Sequence, residues 1–143
     1  MTAYVAGFLI DPSNETVALI RKGKPEWQRG KLNGIGGKIE PGESAAEAMR
    51  REFNEEAGLD LDNWELFATV QGDWGAVSFF RSFSVASPRS MESEPVEVHS
   101  LEAVPYGECI PNLSWLIPLA LYRHDEYEPV VAAERHPEPR DSQ

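Results

Sequence analysis

The sequence predicts an α/β fold, and three observations carry that expectation. Short apolar runs bounded by turn residues recur as strand signals, the segment Ser44 to Ala57 has the composition and end signals of a helix, and a second helical stretch lies near the C-terminus. At 143 residues the chain has the size of one domain that can bury a core without disulfides or a structural metal.

The first strands are Tyr4 to Ile10 and Thr16 to Ile20, joined by the turn Asp11-Pro12-Ser13-Asn14 into a hairpin. Arg21 to Lys31 mixes charge with Gly23, Pro25 and Gly30 and keeps no period, which predicts a loop that carries Trp27. Leu32 to Glu40 places Gly34, Gly36 and Gly37 among β-formers, and glycine within a strand marks a close approach to the backbone.

Ser44 to Ala57 follows Pro41-Gly42 and ends at Gly58; Ser44 with Glu47 fits a capping box. Trp64 to Gln71 and Ala76 to Ala86 are the next strands, with Val77, Phe79, Arg81 and Phe83 on one face. An acidic loop spans Ser87 to Glu94, and Val96 to Leu101 suits one more strand. Trp115 to Arg123 is expected to be a helix capped by Ser114, with Pro118 in its first turn. Glu128 to Gln143 is expected to be a disordered tail, which leaves residues 1–127 as a single domain.

Composition narrows the function. Hydrophobic residues make up 41% and charged residues 26%, an ordinary globular balance. A net charge of −11 disfavours nucleic-acid polymers and anionic membranes, because both need clustered Lys and Arg. A small phosphorylated ligand remains compatible when a divalent cation bridges its phosphates to carboxylates. The lone Cys109 forms no internal disulfide, no window suits a membrane span, and no leader is evident, so a cytoplasmic monomer or homodimer is expected.

On a helical wheel Ala45, Ala48 and Met49 share a stripe that continues into Glu52, Glu55 and Glu56, while Glu47, Arg50, Arg51 and Asn54 fall on the other side. Converging carboxylates repel one another unless a cation neutralises them. Oxygen ligands of this kind suit Mg²⁺, with Mn²⁺ as a substitute. On these three residues alone, a solvated surface helix whose glutamates pair with Arg51 and lysines is an equal reading.

From Gly37 the sequence runs through five residues to Glu43, seven more, then Arg51-Glu52-Phe53-Asn54-Glu55-Glu56-Ala57-Gly58-Leu59. This segment resembles the Nudix box in full. The resemblance implies a Nudix fold, a mixed β-sheet sandwiched between helices (α/β/α), and attack of water on a nucleoside diphosphate linked to another group. It implies metal binding or catalysis by Glu52, Glu55 and Glu56, a metal contact from the Gly37 carbonyl, and orientation of the cluster by Arg51 and Glu43. Family members often add a carboxylate from a remote loop; Glu92, Glu94 and Glu97 are the candidates, and Glu94 is chosen.

Outside the box, Leu32-Asn33-Gly34-Ile35-Gly36-Gly37-Lys38 and Ser114-Trp115-Leu116-Ile117-Pro118-Leu119 resemble the MutT-like, oxidised-purine nucleoside triphosphatase branch. That similarity implies a substrate pocket using Asn33, Lys38 and Trp115, with Trp27 as a loop aromatic beside it. Where those enzymes carry paired aspartates this chain has Asn112 and Leu113, so Asn112 is the position expected to face the base and specificity for oxidised guanine is not carried over. The expected reaction is Mg²⁺-dependent conversion of a nucleoside triphosphate to monophosphate and pyrophosphate. A broad hydrolase of nucleotide sugars or dinucleotides, or a non-catalytic nucleotide-binding module, is the alternative.

Overall fold

The computed structural model describes residues 2–122 and 128–135. Its strands are β1 (Thr2–Asp11), β2 (Thr16–Arg21), β3 (Leu32–Asn33), β4 (Ile35–Lys38), β5 (Glu65–Gly72), β6 (Gly75–Phe83), β7 (Val96–Ser100) and β8 (Val130–Ala133), with helices α1 (Ala45–Ala57) and α2 (Leu113–Leu121). The strands form one mixed sheet. β1 pairs antiparallel with β2 and β4 but parallel with β6, and β5 pairs antiparallel with β6 and parallel with β8.

Val5 to Ile10 is buried without interruption, because successive side chains leave β1 on opposite faces and a helix covers each face. Val5 and Leu9 pack with Ala48, Met49 and Phe53 of α1. Ala6, Phe8 and Ile10 pack with Leu113, Leu116, Ile117 and Ala120 of α2. Phe53 is fully buried with its ring 4.9 Å from that of Trp64, and truncating such a side chain to Ala costs about 3–5 kcal/mol.

The box helix forms as its sequence dictates. The Glu47 amide donates to Ser44 Oγ at 3.1 Å and the Ser44 amide donates to Glu47 Oε1 at 2.9 Å, which closes the capping box. Gly58 stops the helix at φ 73°, a conformation that disfavours a side chain. The acidic loop then docks on this end: the Arg89 amide donates to the Ala57 carbonyl at 3.0 Å and the Met91 amide to the Glu56 carbonyl at 3.1 Å. Helix carbonyls otherwise lacking partners thus tether the segment that carries Glu92 and Glu94.

Two expectations at the C-terminal end need correction. Helix α2 begins at Leu113, two residues before Trp115, and Asn112 precedes it without a side-chain capping bond. Ser114 is inside the helix, where its Oγ donates to the Pro111 carbonyl at 2.9 Å, and Pro118 is its sixth residue, beyond the first turn. Burial of Leu113 against the sheet outweighed the capping signal of Ser114. Arg123 lies outside the described residues, and the last carbonyls receive Arg81, whose Nη1 donates to Ala120 at 3.1 Å and Tyr122 at 2.6 Å.

The stretch expected to be a disordered tail supplies β8, whose Val130 to Ala133 align with Ala68 to Gln71 of β5. A free sheet edge gave these residues backbone partners that a local composition test does not register. Residues 136–143 of that expected tail lie outside the described residues.

Candidate active site

Strand β4 and helix α1 bring the box residues together. An ideal Cβ on Gly37 would stand 2.6 Å from the Glu52 carboxylate, so glycine is required for that carboxylate to lie against the strand. Arg51 ties the two elements: Nε donates to Glu43 Oε2 at 2.6 Å, Nη2 to Glu43 Oε1 at 2.9 Å, and Nη2 also to the Lys38 carbonyl at 3.1 Å. Its Nη1 reaches Glu52 Oε1 at 2.9 Å and Glu55 Oε2 at 3.4 Å. The two-pronged pairing with Arg51 holds Glu43 well below the usual carboxylate range, at about 2.

The glutamates of α1 differ in environment. Glu55 is exposed, whereas Glu52 and Glu56 are half-buried. Burial raises the proton affinity of Glu52, although Arg51 counteracts it. Burial pushes Glu56 up to about 7; Lys22 opposes this, while Glu94, Glu92 and Glu52 add to it. Glu92 and Glu94 therefore lie within electrostatic reach of Glu56, which the docked acidic loop explains.

Glu94 is already held in the structure. Its Oε2 accepts from the Gly23 amide at 2.6 Å and its Oε1 from Lys22 Nζ at 3.3 Å. Burial acts against its charge, but the Gly23 amide and Lys22 prevail and keep its pKa below the ordinary value. Glu97 is diverted elsewhere: Arg21 grips it through Nε at 2.6 Å and Nη2 at 2.9 Å, and His99 Nε2 lies 2.9 Å away.

Among the described residues, no three acidic, histidine or cysteine side chains stand close enough to enclose a cation. The expected cluster of Gly37, Glu52, Glu55, Glu56 and Glu94 is brought into one region but not closed around one point, because Arg51 takes Glu52 and Glu55, and Lys22 takes Glu94. The donor set still fits a hard divalent cation. All its side-chain atoms are carboxylate oxygens, and the missing Cβ at Gly37 leaves room for the Glu52 carboxylate against the strand. Burial, with smaller contributions from Glu94, Glu92 and Glu52, disfavours a charge on Glu56 that a cation would stabilise.

Next to this cluster is a cavity of about 390 Å³. Gly36, Gly37 and Lys38 of β4 form one side, and Tyr4, Trp27 and Trp74 give it aromatic walls. Asn33, Lys22, Asn112 and Glu134 add polar groups. Asn33 is held in place, with Nδ2 donating to Gln28 Oε1 at 3.0 Å and Oδ1 accepting from the Gly34 amide at 2.7 Å.

Trp115 does not line this cavity and is 37% exposed. Since Leu113, Leu116, Ile117 and Ala120 face the sheet, Trp115 is turned to the outer side of α2. The structure thus sets Trp115, expected in the substrate pocket, apart from this cavity, and Trp27 and Trp74 are the tryptophans that line it. Glu134 escaped sequence reasoning altogether, and no local motif frames it; only its place one residue after β8 brings it to the cavity.

Known proteins share this architecture. The NUDIX domain family matches residues 1–125. The oxidized purine nucleoside triphosphate hydrolase of Mus musculus is 22% identical over 127 residues, covering 84% of this chain and 80% of that protein. The NUDIX hydrolase structure from Nitrosomonas europaea superposes with a TM-score of 0.69 at 20% identity, covering 93% of this chain and 79% of that one. A MutT structure from work on Aliivibrio salmonicida and Vibrio cholerae gives 0.67 at 19% identity, covering 85% and 98%. At these identities the structural likeness establishes the fold.

Proposed function

The chain belongs to the Nudix family of pyrophosphohydrolases, matched over residues 1–125, and on that footing we propose that it cleaves a nucleoside triphosphate to the monophosphate and pyrophosphate with Mg²⁺. One observation carries the reading. Gly37 is shared, lining the aromatic cavity and lying against Glu52, so a base in the cavity leaves its phosphates beside the carboxylates of α1. The cavity volume lies in the range of small-molecule sites. The hydrolase name of the mouse relative supports the same substrate class.

Glu52, Glu55, Glu56 and the Gly37 carbonyl would hold the cation, with Glu94 as an additional ligand. A bound divalent cation neutralises charge on the phosphoanhydride oxygens and makes a coordinated water more acidic. Arg51 and Glu43 brace Glu52 against β4. Glu56, whose proton affinity lies near neutrality, is suited to accept the proton of the attacking water. Trp27 and Trp74 stack on the base and exclude water, while Lys22 and Lys38 meet phosphate charge at the cavity edge.

The test is product analysis with Mg²⁺ across canonical and modified nucleoside triphosphates, ADP-ribose, diadenosine polyphosphates and nucleotide sugars. Triphosphates should dominate and release pyrophosphate rather than orthophosphate. Preference for a nucleotide sugar or a dinucleotide would overturn the reading.

A further inference from the structure

The hydrolytic steps leave unused a pair of hydrogen-bond acceptors in the cavity wall. Asn112 Nδ2 donates to Glu134 Oε1 at 2.9 Å, which sets the amide orientation and leaves Oδ1 as the free acceptor. That Oδ1 is buried and has no hydrogen-bond partner among the described residues. Glu134 Oε2 likewise receives no hydrogen bond among them, and both residues line the cavity. A buried acceptor without a donor is unfavourable, so Asn112 Oδ1 is explained when a ligand brings the missing donor, and Glu134 Oε2 beside it in the cavity lining offers that ligand a second acceptor.

The two residues reach the wall from separate parts of the chain. Asn112 immediately precedes α2, and Glu134 follows β8. Pairing of β8 with β5 and donation of the Glu134 amide to the Gln71 carbonyl at 2.8 Å hold its backbone in place. Glu134 lies outside the residues that the NUDIX domain family matches.

We propose that Glu134, with Asn112, forms an acceptor pair that selects a base carrying two neighbouring N–H donors on one edge, which makes Glu134 a specificity-determining residue. This rests on the reading of the cavity as a nucleotide site. A ring N–H beside an exocyclic amine satisfies both acceptors. A base that presents a ring lone pair there sets acceptor against acceptor and leaves the wall unsatisfied. Tyr4, Trp27 and Trp74 bind any base by its face, so the edge contact is what discriminates.

The experiment compares guanosine and inosine triphosphates, which differ by the exocyclic amine alone, in the wild type, Glu134→Gln and Glu134→Ala. Both kcat/KM and Kd are measured, with a thermal melt of each variant. Glu134→Gln keeps an oxygen for Asn112 but replaces the other acceptor by an amine; Glu134→Ala removes both. The wild type should prefer the guanosine nucleotide by about tenfold or more, and both variants should lose that preference, chiefly through KM and Kd, with melting unchanged. Wild-type preference retained in both variants overturns the proposal, as does a wild type that prefers neither nucleotide. Binding with a Glu134-dependent preference but no cleavage supports the acceptor pair and refutes the hydrolase reading; cleavage with a Glu134-independent preference does the reverse.

Discussion

Gly37 and Glu52 are interlocked: a Cβ at residue 37 would meet the Glu52 carboxyl carbon at 2.6 Å, so the carboxylate fills the space that a side chain at residue 37 would need. Gly37→Ala should therefore push the carboxylate aside. Because the obstructed group is the end of a side chain, stability should change by no more than about 1 kcal/mol while kcat falls by roughly tenfold or more. Kinetics beside a denaturant titration check this, and an unaltered kcat would separate Glu52 placement from activity.

Glu56 gives a pH signature. Its pKa in the folded chain is raised to about 7 from an ordinary value of 4.5, so folding favours its protonated form. The associated stability is full below pH 4.5 and is lost as pH rises through about 7. In chelator, Glu56→Gln should match the wild type near pH 4.5 and exceed it near pH 8 by roughly 1–3 kcal/mol, an upper range given solvent screening. Urea unfolding at the two pH values is the measurement. Added Mg²⁺ should narrow the gap, since a cation stabilises the ionised glutamate.

Arg51 is a brace that Lys does not replace. Its guanidinium reaches two oxygens of Glu43, Glu52 and the Lys38 carbonyl at once, a geometry that a single ammonium cannot reproduce. Arg51→Lys should lower kcat by about tenfold or more and destabilise the fold by roughly 1–3 kcal/mol, the scale of lost charge-assisted hydrogen bonds. Steady-state rates and chemical denaturation of the one variant read both effects.

The aromatic walls can be told apart by substitution. Trp27 is 63% exposed yet lines the cavity, whereas Trp115 lies outside it. Trp27→Ala should raise the KM for a nucleoside triphosphate by about five- to a hundredfold, the range for loss of one stacking partner. Trp115→Ala should leave KM within about twofold, and the opposite ranking would return Trp115 to the base site.

What was legible in the sequence follows from how local its causes are. The hairpin, the capped helix α1 and the close approach at Gly37 depend on neighbouring residues and fixed spacing, and all three are visible before any coordinates. The start of α2 was misplaced because Ser114 is a good capping residue, while burial of Leu113, a tertiary effect, carries the helix past it. β8 was missed because a four-residue strand earns its place only from the edge of β5. Glu134 was missed with it. The tether of the acidic loop to the end of α1 is equally nonlocal, and it is what brings Glu92 and Glu94 within reach of Glu56.

The most direct test of the account is pyrophosphate release from a nucleoside triphosphate by the wild type and Glu56→Gln, each with Mg²⁺ and with excess chelator. The account predicts release by the wild type that depends on Mg²⁺, stops in chelator, and falls by about a hundredfold or more in Glu56→Gln with the fold intact. Undiminished release by Glu56→Gln, or by the wild type in chelator, would contradict it.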